Sequence, residues 1–243
     1  MCIRDSSQST YKTFSPDAFD FIIIDEVHRG VANSYKPVFE YFNSEFVLGL
    51  TATPERPDSG DIFRLFDFNV PYEIRLKAAL EADMLAPFHY FGVTDFDDGE
   101  RAIGDKTASI EALVAKDRID YLLEKLRVYG FPEGVKGLIF CSRKDEAKAL
   151  SEQLNQEQLF GRQLRTKVLL GEDSISTRNA VVAELSAGEL DYIITVDIFN
   201  EGIDIPAVNQ VVMLRATQSS IIFTQQLGRG LRKAPGKGSS PSN

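Results

Sequence analysis

Short apolar runs alternate with helix-length amphipathic stretches along most of this chain, and that alternation limits the fold more than any other feature. Strand-like runs occupy 19–25, 45–51, 136–141, 165–170, 191–196 and 208–214. Helical spacing marks residues near 33–43, then 76–85, 109–128, 144–156, 175–187 and 219–232. Ser142 is a candidate N-cap for the fourth of these, with Glu146 in its first turn, and Gly188 ends the fifth. Strands separated by helices need crossover connections. The pattern therefore predicts parallel βαβ units and an α/β fold with doubly wound sheets.

The chain has 243 residues, 43% apolar and 26% charged, with a formal charge of −9. That is enough chain for one large or two small cores. The acidic balance argues against a protein that coats nucleic acid nonspecifically, but leaves room for one that grips it in a local cleft. No apolar stretch is long enough to span a membrane, and the first residues lack the apolar core of a signal peptide. Cys2 and Cys141 are the only cysteines, too few for a disulfide framework or metal cluster. A reducing, cytoplasmic setting is expected, with Cys141 a small buried strand residue.

The first strand runs Phe21-Ile22-Ile23-Ile24 into Asp25-Glu26-Val27-His28. Two adjacent acids at the end of a buried strand are costly unless they have a task. One task is capping or solvating a loop. The other is metal work, in which one carboxylate holds Mg²⁺ and the other orients water. Thr51 and Thr53, after the second strand, suit an ordinary turn or a coupling element between moving parts. Asn200 to Pro206 follows a buried strand, where ligands of open α/β sheets bind. Within it, Gly202 permits close backbone approach and Asp204 offers an acceptor; alone, the stretch reads as a polar loop. Gln225, Arg229 and Arg232 lie on the final helical stretch, the arginines three apart and so on one face. They suit a phosphate clamp or a solvated helix end. Gly228 and Gly230 within that stretch would each cost a helix about 1 kcal/mol relative to Ala, which favours close approach by a ligand.

Taken in order, these strings resemble the motifs of superfamily 2 DEAD/DEAH-box helicases, nearest those related to type I and type III restriction subunits. Asp25-Glu26-Val27-His28 is similar to the Walker B box, and Thr51-Ala52-Thr53-Pro54 to the third motif. Leu138 to Ser142 is similar to the fourth, followed by Gly171-Glu172 and Arg178. Asn200 to Pro206 is similar to the fifth and Gln225 to Arg232 to the sixth. The likeness covers about 17–236. It implies two RecA-like lobes with parallel sheets flanked by helices, ATP with Mg²⁺ between them, and ATP-driven movement on nucleic acid, DNA being favoured. It implies Asp25 at Mg²⁺, Glu26 as the base, and Arg229 and Arg232 at the γ-phosphate. It also implies Gly202 and Asp204 near the nucleotide, Gln225 facing His28, and Thr51 and Thr53 coupling the acid box to lobe movement. Nuclease, restriction or repair subunits are the implied protein partners. A noncatalytic nucleic-acid-binding or interaction module on the same scaffold is the alternative.

The expected organisation is a non-native or disordered leader at 1–16, the C-terminal part of a first lobe at 17–90 and a linker at 91–108. A second lobe at 109–236 and a truncated tail at 237–243 complete it. No Gly-x-x-x-x-Gly-Lys-Ser/Thr string occurs, so the first lobe is expected to be incomplete and the polypeptide inactive alone.

Overall fold

The structure is a computed structural model that describes residues 10–25, 27, 32–51, 62–85, 88–93, 109–196, 205 and 207–214. The chain divides into two units, Met1–Arg75 and Leu76–Asn243.

In the first unit, β1 (Phe21–Ile24) pairs in parallel with β2 (Phe46–Gly49), joined by α1 (Ala32–Tyr41); α2 (Ile62–Leu65) follows. Alternation along the strands sends Ile22, Ile24 and Val47 to one face. There they meet Tyr35, Phe39, Ile62, Leu65 and Phe66. The opposite face carries Phe21, Ile23 and Phe46, which are 67%, 65% and 50% exposed.

The second unit holds α3 (Leu76–Glu81), α4 (Ile110–Leu113), α5 (Lys116–Tyr129), β3 (Gly137–Phe140) and α6 (Lys144–Leu154). A hairpin of β4 (Gln158–Leu159) and β5 (Arg162–Gln163) precedes β6 (Thr166–Leu169), α7 (Ile175–Ala187), β7 (Tyr192–Thr195) and β8 (Gln210–Met213). The main sheet has the order β6-β7-β3-β8, and every pairing is parallel. Its two faces support two cores. Ile139, Cys141, Tyr192 and Ile194 pack with Ile119, Leu123, Leu126, Leu150 and Leu154 from α5 and α6. Leu138, Phe140 and Ile193 pack with Val181 and Leu185 from α7. Each fully buried aliphatic side chain contributes about 1.5–3 kcal/mol. Helices on both faces explain why these strands read as continuous apolar runs.

All the strand readings fall on observed strands, trimmed by one or two residues at each end. The fifth helix, α7, matches its reading at both ends. The Ser174 hydroxyl accepts from the Thr177 N–H at its start, and Gly188, with φ of 78°, ends it in the left-handed region. Ser174→Ala is expected to cost about 1 kcal/mol, seen as a thermal midpoint lowered by about 2–4 °C.

Three helix readings need correction. The stretch 76–85 is helical only over Leu76–Glu81. The stretch 109–128 is not one helix. Val114 and Ala115 leave helical geometry between α4 and α5, with Ala115 extended at ψ 144°. The break is stabilised because Arg118 donates to the Leu113 carbonyl, an acceptor left free at the end of α4. Ser142 is not the side-chain cap of α6. The N-cap position is Arg143, without a capping side chain, and the Ser142 N–H instead donates to Glu146 Oε2 at 3.0 Å. Glu146 is fully buried and also pairs with Arg118 at 3.2 Å. One carboxylate therefore ties α5 to the turn after β3. The helix also ends at Leu154 rather than Gln156, with Asn155 as its C-cap, its N–H on Ser151 O and its side chain turned to Thr166. Its Oδ1 accepts from Thr166 N–H at 2.7 Å and its Nδ2 donates to Thr166 O at 3.1 Å, which covers the start of the β6 edge.

Candidate nucleotide-binding site

Parallel sheets gather loops at the carboxyl ends of their strands, and the sequence-predicted residues that are described lie there. In the first unit, Asp25 follows β1 directly and is exposed. Thr51 follows β2 and is half-buried. The two strand ends are sewn together: Leu50 N–H donates to Ile24 O at 2.8 Å, and Val27 N–H donates to Leu50 O at 3.1 Å. Val27 is 2% exposed and anchors the acid box from below. Asp25 and Thr51 thus follow the carboxyl ends of two paired strands of one small sheet.

Gly49 makes this edge possible. A Cβ at that position would lie 2.5 Å from the Phe66 ring, which packs directly on the end of β2. Phe66 in turn meets Phe39 edge-on at 5.8 Å. Glu26, His28, Thr53, Gly202, Asp204, Gln225, Arg229 and Arg232 lie outside the described residues.

In the second unit the same kind of edge holds Ser142 after β3, Gly171-Glu172 after β6, and Val196 after β7. Lys144 and Glu172 form an ion pair across this edge. A hydrogen bond from Lys144, reinforced by the Lys144 and Lys148 charges, holds the Glu172 carboxyl below its usual range. Arg178 Nη2 donates to Gly171 O at 2.5 Å, which joins α7 to the loop that precedes it. Thr195 is fully buried, and its hydroxyl donates to Leu169 O at 2.8 Å. That bond locks the ends of β6 and β7 together just before the fifth motif. Ile205 and Val208, 1% and 0% exposed, anchor the chain where that motif ends. Cys141 is buried as expected, with its N–H on Thr195 O at 2.9 Å.

Sequence reasoning missed the Arg118–Glu146 clasp and the Thr195 hydroxyl. Glu146 was visible as a first-turn acid, but its partner lies 28 residues away. A strand-ending threonine has no pattern that separates a structural from an exposed hydroxyl.

Comparison with known proteins agrees with this architecture. Residues 117–234 match the family model described as helicase conserved C-terminal domain. Residues 3–56 match that of the type III restriction enzyme res subunit. The chain is 28% identical, over 94% of its length, to the type I restriction enzyme EcoAI endonuclease subunit of Escherichia coli. Among solved structures, it resembles the ATP-dependent type ISP restriction-modification enzyme LlaBIII bound to DNA, with a TM-score of 0.65, 20% identity and 96% of this chain covered. It also resembles the Mycobacterium smegmatis helicase Lhr bound to ssDNA and AMP-PNP, with a TM-score of 0.52, 19% identity and 92% covered. The chain spans 31% of the E. coli relative, and 18% and 28% of the two solved chains.

The parallel sheets and their flanking helices give the chain an α/β fold like that of the RecA-like lobes in these solved structures. Two family models over separate parts of the chain, with the EcoAI relative, make it similar to the superfamily 2 helicases related to restriction-enzyme subunits. No helix among the described residues is long and apolar enough to cross a membrane.

Proposed function

We propose that this chain serves an ATP-dependent helicase or translocase in which ATP hydrolysis drives movement on nucleic acid, with DNA as the favoured substrate. The observation that carries the reading is the shared edge of β1 and β2, where Asp25 and Thr51 stand on adjacent parallel strand ends. An exposed carboxylate at the carboxyl end of a parallel strand is the hard oxygen donor that Mg²⁺ prefers. Bound there with ATP, Mg²⁺ would neutralise charge on the phosphates. Asp25 would hold that ion and Glu26 would orient the attacking water. Arg229 and Arg232 would bind the γ-phosphate, with Gly202 and Asp204 lining the nucleotide and Gln225 facing His28. Thr51 and Thr53 would couple the acid box to lobe movement.

The lobe division in this proposal is 17–90 and 109–236, joined through 91–108. The EcoAI subunit and the LlaBIII enzyme support a restriction or repair assembly as the setting, with nuclease subunits as partners. The 243 residues contain no P-loop string. Half of the phosphate contacts would then come from elsewhere in the working protein.

Two results are expected. The purified 243-residue chain should show no appreciable Mg²⁺-dependent ATP turnover. The full-length gene product should bind a nonhydrolysable ATP analogue, and Arg232→Ala should weaken that binding about tenfold or more, as loss of a charge-assisted phosphate contact does. Glu26-dependent turnover by the 243-residue chain would refute the first expectation, and indifference of analogue binding to Arg232→Ala would refute the assignment.

A further inference from the structure

The β4–β5 hairpin is built in an unusual way. Leu159 pairs with Arg162, which leaves Phe160-Gly161 as a two-residue turn. Both turn residues have positive φ, 52° and 77°. Such turns favour Asn, Asp or Gly first, because a bulky side chain is strained in the left-handed region. Strain of this kind persists only where surroundings impose it, and it concentrates at binding sites.

The surroundings here do impose it. Leu159 is 2% exposed in the core. Arg162 is paired with the buried Asp191 at 2.5 Å. Gln163 Nε2 donates to Asn155 O, Leu164 N–H donates to Glu157 O, and Arg127 donates to Gln158 O. All these contacts hold the hairpin's stem. The Phe160 ring at its tip remains 37% exposed.

Charge around the tip runs against the chain's net −9. Arg162 and Arg165 both bond the single carboxylate of Asp191, yet their side chains are 36% and 48% exposed. Arg127 bonds a neutral carbonyl. Glu157, which precedes the hairpin, lies 3.9 Å from Lys116. Two guanidiniums therefore share one buried carboxylate, and Arg127 adds a third guanidinium at the hairpin stem.

We propose that this hairpin is an auxiliary contact for single-stranded nucleic acid. The Phe160 ring stacks on a base, and Arg127, Arg162 and Arg165 hold the flanking phosphates. Planar guanidiniums fit phosphate oxygens in pairs, and an exposed ring accepts any base. A protein hot spot would instead sit within a ring of apolar contacts, whereas the hairpin residues around Phe160 that are not buried are Gln158, Gly161, Arg162 and Gln163. The site lies at the amino ends of β6 and β7, since Arg165 precedes the first and Asp191 the second. It is thus at the opposite edge of the sheet from Ser142, Gly171 and Thr195. The inference rests on the nucleic-acid reading above, but not on the ATP site.

The test is fluorescence anisotropy of the 243-residue chain with an oligothymidylate of about 20 nucleotides, a length that exceeds one such site. Phe160→Asn suits the left-handed turn, so its thermal midpoint should equal or exceed that of the parent. Its Kd should nevertheless rise about fivefold or more, as loss of one stacked base requires. Arg127→Gln should lower the salt dependence by about one phosphate contact. An unchanged Kd for Phe160→Asn, or no binding by the parent chain, overturns the proposal. So does a Phe160-dependent affinity for polyglutamate without one for the oligonucleotide, which would mark a protein-docking site. ATP-analogue binding by the full-length protein judges the helicase reading separately in each case.

Discussion

Gly137→Ala should destabilise the second unit by about 3 kcal/mol, although it adds a single methyl group. Gly137 opens β3, with Tyr192 beside it on β7. A Cβ at Gly137 would stand 2.2 Å from the Tyr192 ring. The ring cannot easily withdraw. Tyr192 is 1% exposed, and its hydroxyl donates to Gln210 Oε1 at 2.6 Å, so it is held at both ends. Burial pushes the Tyr192 phenol well up, and it remains a donor throughout the usable pH range. Replacing Gly also removes backbone freedom from the unfolded chain, which favours the variant by about 0.5–1 kcal/mol. The steric conflict is larger and should win. Urea denaturation gives the measurement. Tyr192→Leu placed on top of Gly137→Ala should recover part of the loss, because the two positions are in contact and non-additive. A variant that unfolds at the parent's midpoint would show that the ring and strand do not approach so closely.

The fold was legible because burial writes itself into strands and helices differently. Strands covered on both faces, such as β3 and β7, carry apolar residues at successive positions, so their runs stand out. The α7 helix carries a hydroxyl cap and a terminal glycine, and both ends could be read. What escaped was set by contacts distant in sequence. Nothing near Val114 announces that α4 and α5 separate there; the Arg118 guanidinium that satisfies Leu113 O decides it. The β4–β5 hairpin escaped because Phe160-Gly161 is not a usual turn pair. The candidate site divides in the same way. The position of Asp25 followed from the strand it terminates, and Thr51 from the next one. The roles of Arg118 and Glu146 at the β3 edge depend on a pairing between separate helices.

Asp191→Ala is expected to cost about 3–5 kcal/mol. The residue looked like the first position of an apolar strand, yet it is a 2% exposed carboxylate. Its Oδ2 accepts from the Arg165 backbone N–H at 2.9 Å, while Arg162 and Arg165 guanidiniums reach Oδ1 at 2.5 and 3.1 Å. Removing it would leave two cations facing each other beside the start of β6, and would free the hairpin that carries Phe160. Burial alone would push its carboxyl up. The hydrogen bonds from Arg165 and Arg162 outweigh that effect and hold it below the usual range. The sign of the pH dependence follows. A carboxyl lowered on folding stabilises the protein above its unfolded pKa of about 3.9, and that stabilisation fades as pH falls through the lower folded value. Chemical denaturation of the parent and Asp191→Asn should therefore differ most near neutral pH and converge as pH falls through the lowered folded value. A gap that widens on acidification would mean that Asp191 is not ionised in the folded chain, and the clamp on the hairpin would have to be assigned to other groups.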